Sequence, residues 1–428
     1  MWRLGPIVLA CVAVACDGAS SPDAGTDSGA PDAGPPLGPY PSVETLVPHP
    51  ELPSLFTSFD GTREATTVAD WEGWRRDELR DLFAFYLYGY TPADTVEVET
   101  RTLTSIPDFV PGQVDYDELE LTLRDLGVTL HVSLFRPAGV TDAPVFVAPN
   151  KCGDQELTSD PRVRATTAWM ADDCGADVEA SRGVRSSQWP IERITASGYA
   201  LAAFHESELD PDDGDRNFAN GIHPLLIDEA RDPRIRWGRL AAWAWGVSRV
   251  IDGLEASARI DPSRIAVVGH SRRGKTALIA GAADPRISIV IAHQSGTGGA
   301  ALTRSLEGES VDSINAVFPA WFDDVFPTFG GYEDRMPIDQ HMLLALIAPR
   351  ALLVTDGDDD AWADPGGARM AVFAAAPAWD LYGVPSLTLD AEGAPTLEGS
   401  LSWQTRPGGH ELTEADWDRF LAFAAIHF

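Results

Sequence analysis

Cysteine is scarce, with four in 428 residues. So few cannot staple a small disulfide scaffold, and Cys152 and Cys174 lack neighbouring histidines at zinc-finger spacing, which argues against a structural metal. Positive charge is sparse as well. Against 65 Asp and Glu stand 32 Lys and Arg, a formal net charge of −33, and a surface of that sign repels a phosphate backbone, so nucleic acid is not an expected partner. No apolar run is long enough to cross a bilayer. Internal repeats are absent too, which excludes a solenoid or propeller. What remains is 44% hydrophobic content, enough to bury one large core.

The first residues read as an address. Residues 1–16 place Arg3 before the short apolar run from Ile7 to Ala15, the pattern of an export signal. Ala13-Val14-Ala15-Cys16 resembles a bacterial lipobox, with alanine in place of the usual leucine. Cys16 is then the expected lipidation site of an outer-membrane lipoprotein, with Cys11 the alternative; an ordinary cleaved signal would give a freely secreted protein instead. Residues 17–40 are rich in Asp, Gly, Ala, Ser and Pro. They cannot offset their ordering entropy by burial, and are expected to form a disordered tether. Residues 41–428 remain as one folded domain. Its two cysteines, Cys152 and Cys174, are an even pair in an exported chain, which permits a disulfide.

Strand-like runs cover Val128 to Phe135, Pro144 to Val147, Tyr199 to Phe204, Ile287 to Ala292, Ala351 to Val354 and Leu401 to Gln404. Helical spacing appears from Trp71 to Tyr90, from Trp237 to Leu254 and from Ala415 to Ile426. Alternating strands and helices predict an α/β fold with a mainly parallel sheet, whose ligands sit beyond the carboxyl ends of the strands. One stretch stands out. RIAVVGHSRRGKTAL, residues 264–278, runs from a buried strand through Gly269-His270-Ser271 into a helix restarting after Gly274. Such a corner exposes its serine and has the form of the nucleophile elbow of an α/β-hydrolase.

A serine hydroxyl needs a histidine to take its proton and an acid to orient that histidine. His410 follows two glycines after the last strand, where the Ser, acid, His order requires the base. His270, beside the serine, should pack under the loop, while His49, His131 and His427 have structural explanations. The acid is open at this point. Asp356, Asp358, Asp359, Asp360 and Asp364 all follow one strand, and their spacing does not choose among them. Asp210 to Asn217 is acidic enough for a calcium loop, yet no glutamate falls at its twelfth position.

From about Pro41 onward the chain resembles the glucuronoyl esterases of carbohydrate esterase family 15, above all their bacterial branch. The matching stretches are AWAWGVSR (242–249), GHSRRGK (269–275), SGTGGAA (295–301), GES (308–310), FPAWF (318–322), residues 339–350 and DAWADP (360–365). The resemblance implies an α/β-hydrolase with its mainly parallel sheet in a three-layer sandwich, and no cofactor or metal. It makes Ser271 the nucleophile, His410 the base and Arg272 the group that stabilises the oxyanion. Lys275, Glu309 and Trp362 become the sugar contacts. Where many members carry a glutamate, this chain has Gln294, so the acid should be Asp360, two residues before the loop tryptophan. The implied reaction is hydrolysis of an ester between (4-O-methyl-)glucuronic acid and a lignin-type alcohol, on glucuronoxylan or lignin–carbohydrate substrate, by a monomer. Two rivals remain. One is an acetyl xylan esterase or other carbohydrate carboxylesterase; the other is a surface glycan-binding protein without catalysis.

Overall fold

The computed structural model describes residues 40–92, 96–226, 232–305 and 307–428. The export signal, Cys16 and the tether up to residue 39 lie outside the described residues. Among the described residues nine strands form one sheet: β1 (Val98–Val110), β2 (Val114–Leu123), β3 (Val128–Pro137), β4 (Val145–Asn150), β5 (Ala200–His205), β6 (Ile265–His270), β7 (Ile287–His293), β8 (Ala351–Gly357) and β9 (Leu401–Arg406). Their order is β1-β2-β3-β5-β4-β6-β7-β8-β9. From β5 to β9 every neighbour pair is parallel, while β1, β2, β3 and β5 pair antiparallel.

Both faces of the parallel part are buried, which is why its strands read as unbroken apolar runs. Val145 and Val147 point into one core; Phe146 and Ala148 point into the other. Helices Arg239–Ser257 and Arg272–Ala283 cover the first face, and Ile191–Ala196 with Glu414–His427 cover the second. This is the expected sandwich. The strands given by sequence are all present, each extended by one to three residues at its carboxyl end. An early helix over 68–88 mixes α and π turns, and its buried Trp71, Leu79, Phe85 and Tyr86 belong to the first core.

Two expectations need correction. The helix after the elbow begins at Arg272, three residues earlier than expected, because Gly274 lies inside it and packs within 3.0 Å of Gly269 O and Ser295 Cβ as measured from where its own Cβ would stand. The β1–β2 hairpin was not expected at all. Val98–Val110 is largely exposed, so its apolar and polar residues do not alternate cleanly, and Pro107 interrupts the run.

Candidate active site

The parallel strands deliver their loops to one end of the sheet, and three of those loops meet. Ser271 follows β6 with φ 61° and ψ −126°, a conformation that side chains rarely adopt and that a tightly packed surround must enforce. Gly269 allows it. A Cβ there would stand 1.9 Å from the Arg273 carbonyl, so no other residue lets the chain turn this sharply. His410 comes from the loop after β9, and Asp360 from the turn after β8.

His410 bridges them. Its Nε2 lies 2.9 Å from Ser271 Oγ, and its Nδ1 lies 2.7 Å from Asp360 Oδ2. Asp360 is only 3% exposed, so its charge is shielded from water and from salt. The other candidate acids are engaged elsewhere or stand in solvent. Asp356 accepts from the Trp403 indole at 3.0 Å, Asp364 caps helix Pro365–Ala375, and Asp358 and Asp359 are exposed.

Gln294 acts one step back from this trio. Its amide donates to the Gly409 carbonyl at 2.6 Å and its oxygen meets His270 Nε2 at 2.9 Å, tying down the residue before His410. Gly357 makes room for this contact, since a Cβ there would come within 2.4 Å of Gly408 O. His270 packs under His410 with ring centroids 4.8 Å apart, and His293 lies behind it. Burial holds His270 well below the usual imidazole range and brings His293 to about 4. Both rings are therefore neutral near pH 7, and His410 can gain a proton without a charged imidazole against it.

Of the four residues assigned to oxyanion and sugar, Arg272 directly follows Ser271, Lys275 lies one turn along the same helix, and Glu309 with Trp362 connects to that lysine. The Arg272 guanidinium pairs with Asp212 and lies over the rings of Phe318 and Trp321, at 4.9 and 4.6 Å. Trp321 donates to the same carboxylate at 2.9 Å. Sequence reasoning missed Asp212, because the acidic stretch after residue 210 was weighed only as a metal loop. The structure turns those acids toward arginines and a histidine: Asp210 holds Arg239 and His223, and Asp213 holds Arg239. Among the described residues no acidic, cysteine or histidine cluster could hold a metal ion.

Lys275 is buried, with Nζ 2.7 and 2.6 Å from the carbonyls of Ser295 and Thr297 and 3.8 Å from Glu309 Oε2. Burial pushes its ammonium down to about 8, and burial likewise raises Glu309, opposed by Lys275 and Arg272. Glu309 Oε1 is buried without a hydrogen bond of ordinary length, and the Trp362 side chain is the nearby donor that favours its charged form. Trp362 is 53% exposed, which rules out a core role and leaves a flat aromatic face at the site's rim. The chain has two lysines in all, Lys151 and Lys275. Lys275 lies one helical turn from this serine, and Lys151 shares a cavity wall with it.

Cys152 and Cys174 form a disulfide with Cα atoms 5.4 Å apart, in the segment that follows β4. Next to it Asp154 is fully enclosed, bonded to Asn150 at 2.5 Å, and burial pushes its carboxyl up to about 8. A raised carboxyl binds a proton in the folded protein that the unfolded chain has lost. Its contribution is therefore complete below pH 4 and declines as pH rises toward 8. Asp154→Asn mimics the protonated form. It is expected to flatten that decline and to raise the melting temperature at pH 8 by about 2 °C, measured by calorimetry from pH 4 to 9.

A strand-to-helix serine at the carboxyl edge of this sheet, bonded to a late histidine that is itself bonded to a buried acid, defines the α/β-hydrolase class. The comparisons narrow it. Residues 187–383 match the family model "Glucuronyl esterase, fungi". A carbohydrate esterase from an unknown prokaryotic organism is 34% identical over 402 residues, 90% of this chain and 91% of the relative. A solved esterase described as a promiscuous member of carbohydrate esterase family 15, from a marine bacterial metagenome, is 33% identical with a TM-score of 0.82, covering 90% of this chain and 99% of that one. The glucuronoyl esterase of Solibacter usitatus is 31% identical with a TM-score of 0.80, over 90% and 100% of the two chains. The chain belongs to carbohydrate esterase family 15. It is a carboxylic ester hydrolase.

Proposed function

We propose that this esterase cleaves the ester between glucuronic acid, 4-O-methylated on xylan, and a lignin-type alcohol. The observation that carries the proposal is the single imidazole reaching Ser271 at 2.9 Å and Asp360 at 2.7 Å, beside a buried lysine–glutamate pair suited to sugar hydroxyls.

Ser271 Oγ attacks the ester carbonyl while His410 Nε2 takes its proton, and Asp360 stabilises the resulting imidazolium. The tetrahedral oxyanion forms near the start of helix Arg272–Ala283, where the Arg272 backbone N–H and guanidinium provide fixed positive charge. Asp212 and the Trp321 ring keep that guanidinium in one place. The alcohol departs with the proton from His410. Water, activated by the same imidazole, then releases glucuronate from the acyl-enzyme.

On the sugar side, Glu309 Oε1 is a buried acceptor without a hydrogen bond of ordinary length, which a ring hydroxyl would supply. Lys275 keeps its third proton directed toward Glu309 and the same hydroxyls, and Trp362 lays its face on the ring. The disulfide and the leader sequence fit an exported monomer, anchored through Cys16 at the bacterial outer membrane. No helix among the described residues is long and apolar enough to cross a membrane.

The test is a substrate comparison. The purified protein is expected to hydrolyse benzyl glucuronate at least about tenfold better in kcat/KM than 4-nitrophenyl acetate, since the acetyl group leaves Glu309 without that hydroxyl. Fast acetate turnover with negligible action on the glucuronate ester would favour an acetyl esterase instead. Xylan binding without hydrolysis of either ester would favour a glycan-binding protein.

A further inference from the structure

Lys275, Glu309 and Trp362 form one connected group, through the 3.8 Å ion pair and the bond from Glu309 N–H to the Trp362 carbonyl. A cavity of about 260 Å³ has Ser271, Arg272 and His410 in its wall and none of those three. Its far side comes from the disulfide-bearing segment and the turn after it, through Lys151, Asp173, Arg185 and Trp189.

This far side is built. Lys151 Nζ and Arg185 Nη2 both hold the Asp173 carboxylate, at 2.6 and 2.9 Å. Arg185 Nε faces the buried Glu156 carboxylate at 3.6 Å, so the guanidinium is fixed between two acids before an alcohol enters. Trp189 is 8% exposed, and its indole N–H points away to Glu156 at 3.3 Å, leaving ring surface to the cavity. The disulfide joins Cys152, next to Lys151, to Cys174, next to Asp173. That link keeps both ends of the ion pair in register.

We propose that this cavity receives the departing alcohol and selects alcohols whose aromatic ring carries oxygen substituents. Trp189 covers the ring, while Lys151 and Arg185 donate to its hydroxyl and ether oxygens. The inference rests on the glucuronoyl esterase reading, which puts the acid on the Lys275 and Glu309 side. The two substituents of an ester carbonyl point away from each other, so an acyl group held there sends the alkoxy oxygen into this cavity. His410, which must protonate that oxygen, is in the cavity wall.

The experiment uses the full chain and two glucuronate esters, methyl and 4-hydroxy-3-methoxybenzyl, and reads the ratio of their kcat/KM values. Each variant's ratio is divided by the wild-type ratio, which cancels both the intrinsic reactivity of the esters and the fraction of protein that folds. Trp189→Ala, Arg185→Met and Lys151→Met are each expected to lower the aromatic-over-methyl ratio by about tenfold. The Cys152→Ser/Cys174→Ser double variant should lower it as well. Ratios unchanged from wild type in Trp189→Ala and Arg185→Met would overturn the alcohol cavity while leaving the esterase reading intact. Wild-type protein that cleaves neither ester would overturn both.

Discussion

Ser271→Ala is expected to reduce glucuronate ester turnover by about a millionfold, the scale on which removing a nucleophile acts. The methyl group occupies the same elbow, and β6, Gly269 and the helix from Arg272 keep their packing. Glucuronate itself should bind the variant with unchanged Kd, because Glu309, Lys275 and Trp362 are untouched. Stopped assays with benzyl glucuronate, alongside calorimetric titration of glucuronate, measure the two quantities. Residual hydrolysis within a hundredfold of wild type would mean that another group attacks the ester.

Asp360→Asn should cost about ten-thousandfold in kcat. An asparagine amide at 2.7 Å from His410 Nδ1 can donate where the carboxylate accepts. It thereby favours the tautomer whose Nε2 carries hydrogen and cannot receive the serine proton. KM should change little, since Asp360 lies on the far side of the imidazole from Ser271. Asp358→Asn and Asp359→Asn supply the control: both side chains are exposed, and each variant is expected to stay within about twofold of wild type. Loss of activity in one of those two, with Asp360→Asn active, would move the acid to that position.

How much of this was legible in the sequence depends on the range of the signal. The elbow is local, because the small neighbours of Ser271 are demanded by the turn itself, and the late histidine follows from chain order. The parallel strands are local too, since burial on both faces leaves uninterrupted apolar runs. The acid was not. Five aspartates crowd the end of β8 and the turn after it, and what separates them is the direction each carboxylate takes: Asp356 to Trp403, Asp364 to a helix end, Asp360 to His410. Only the family resemblance chose among them beforehand.

Contacts between distant segments were equally hidden. Asp212 and Arg272 are 60 positions apart, and nothing in an acid-rich stretch announces that it serves an arginine. Lys151 lay unremarked beside Cys152, although it is one of two lysines in the chain and lines the cavity that Lys275 does not reach. The first strand of the hairpin escaped for a different reason. A strand exposed along most of its length has little hydrophobic periodicity to display.

That same hairpin has a consequence for what can be attached to this enzyme. β1 is one edge of the sheet, with β9 at the other, and its pairing with β2 shifts register between Thr102 and Thr104 and again between Ile106 and Val110. Such kinks, on a strand carrying charged and hydroxylated side chains, discourage docking of a stray strand. Four strands separate this margin from β6, whose end bears the nucleophile. Cargo spliced into the tip at 111–113 would hang from the edge of the sheet, so a carbohydrate-targeting module could be carried there with the ester-cleaving corner left undisturbed.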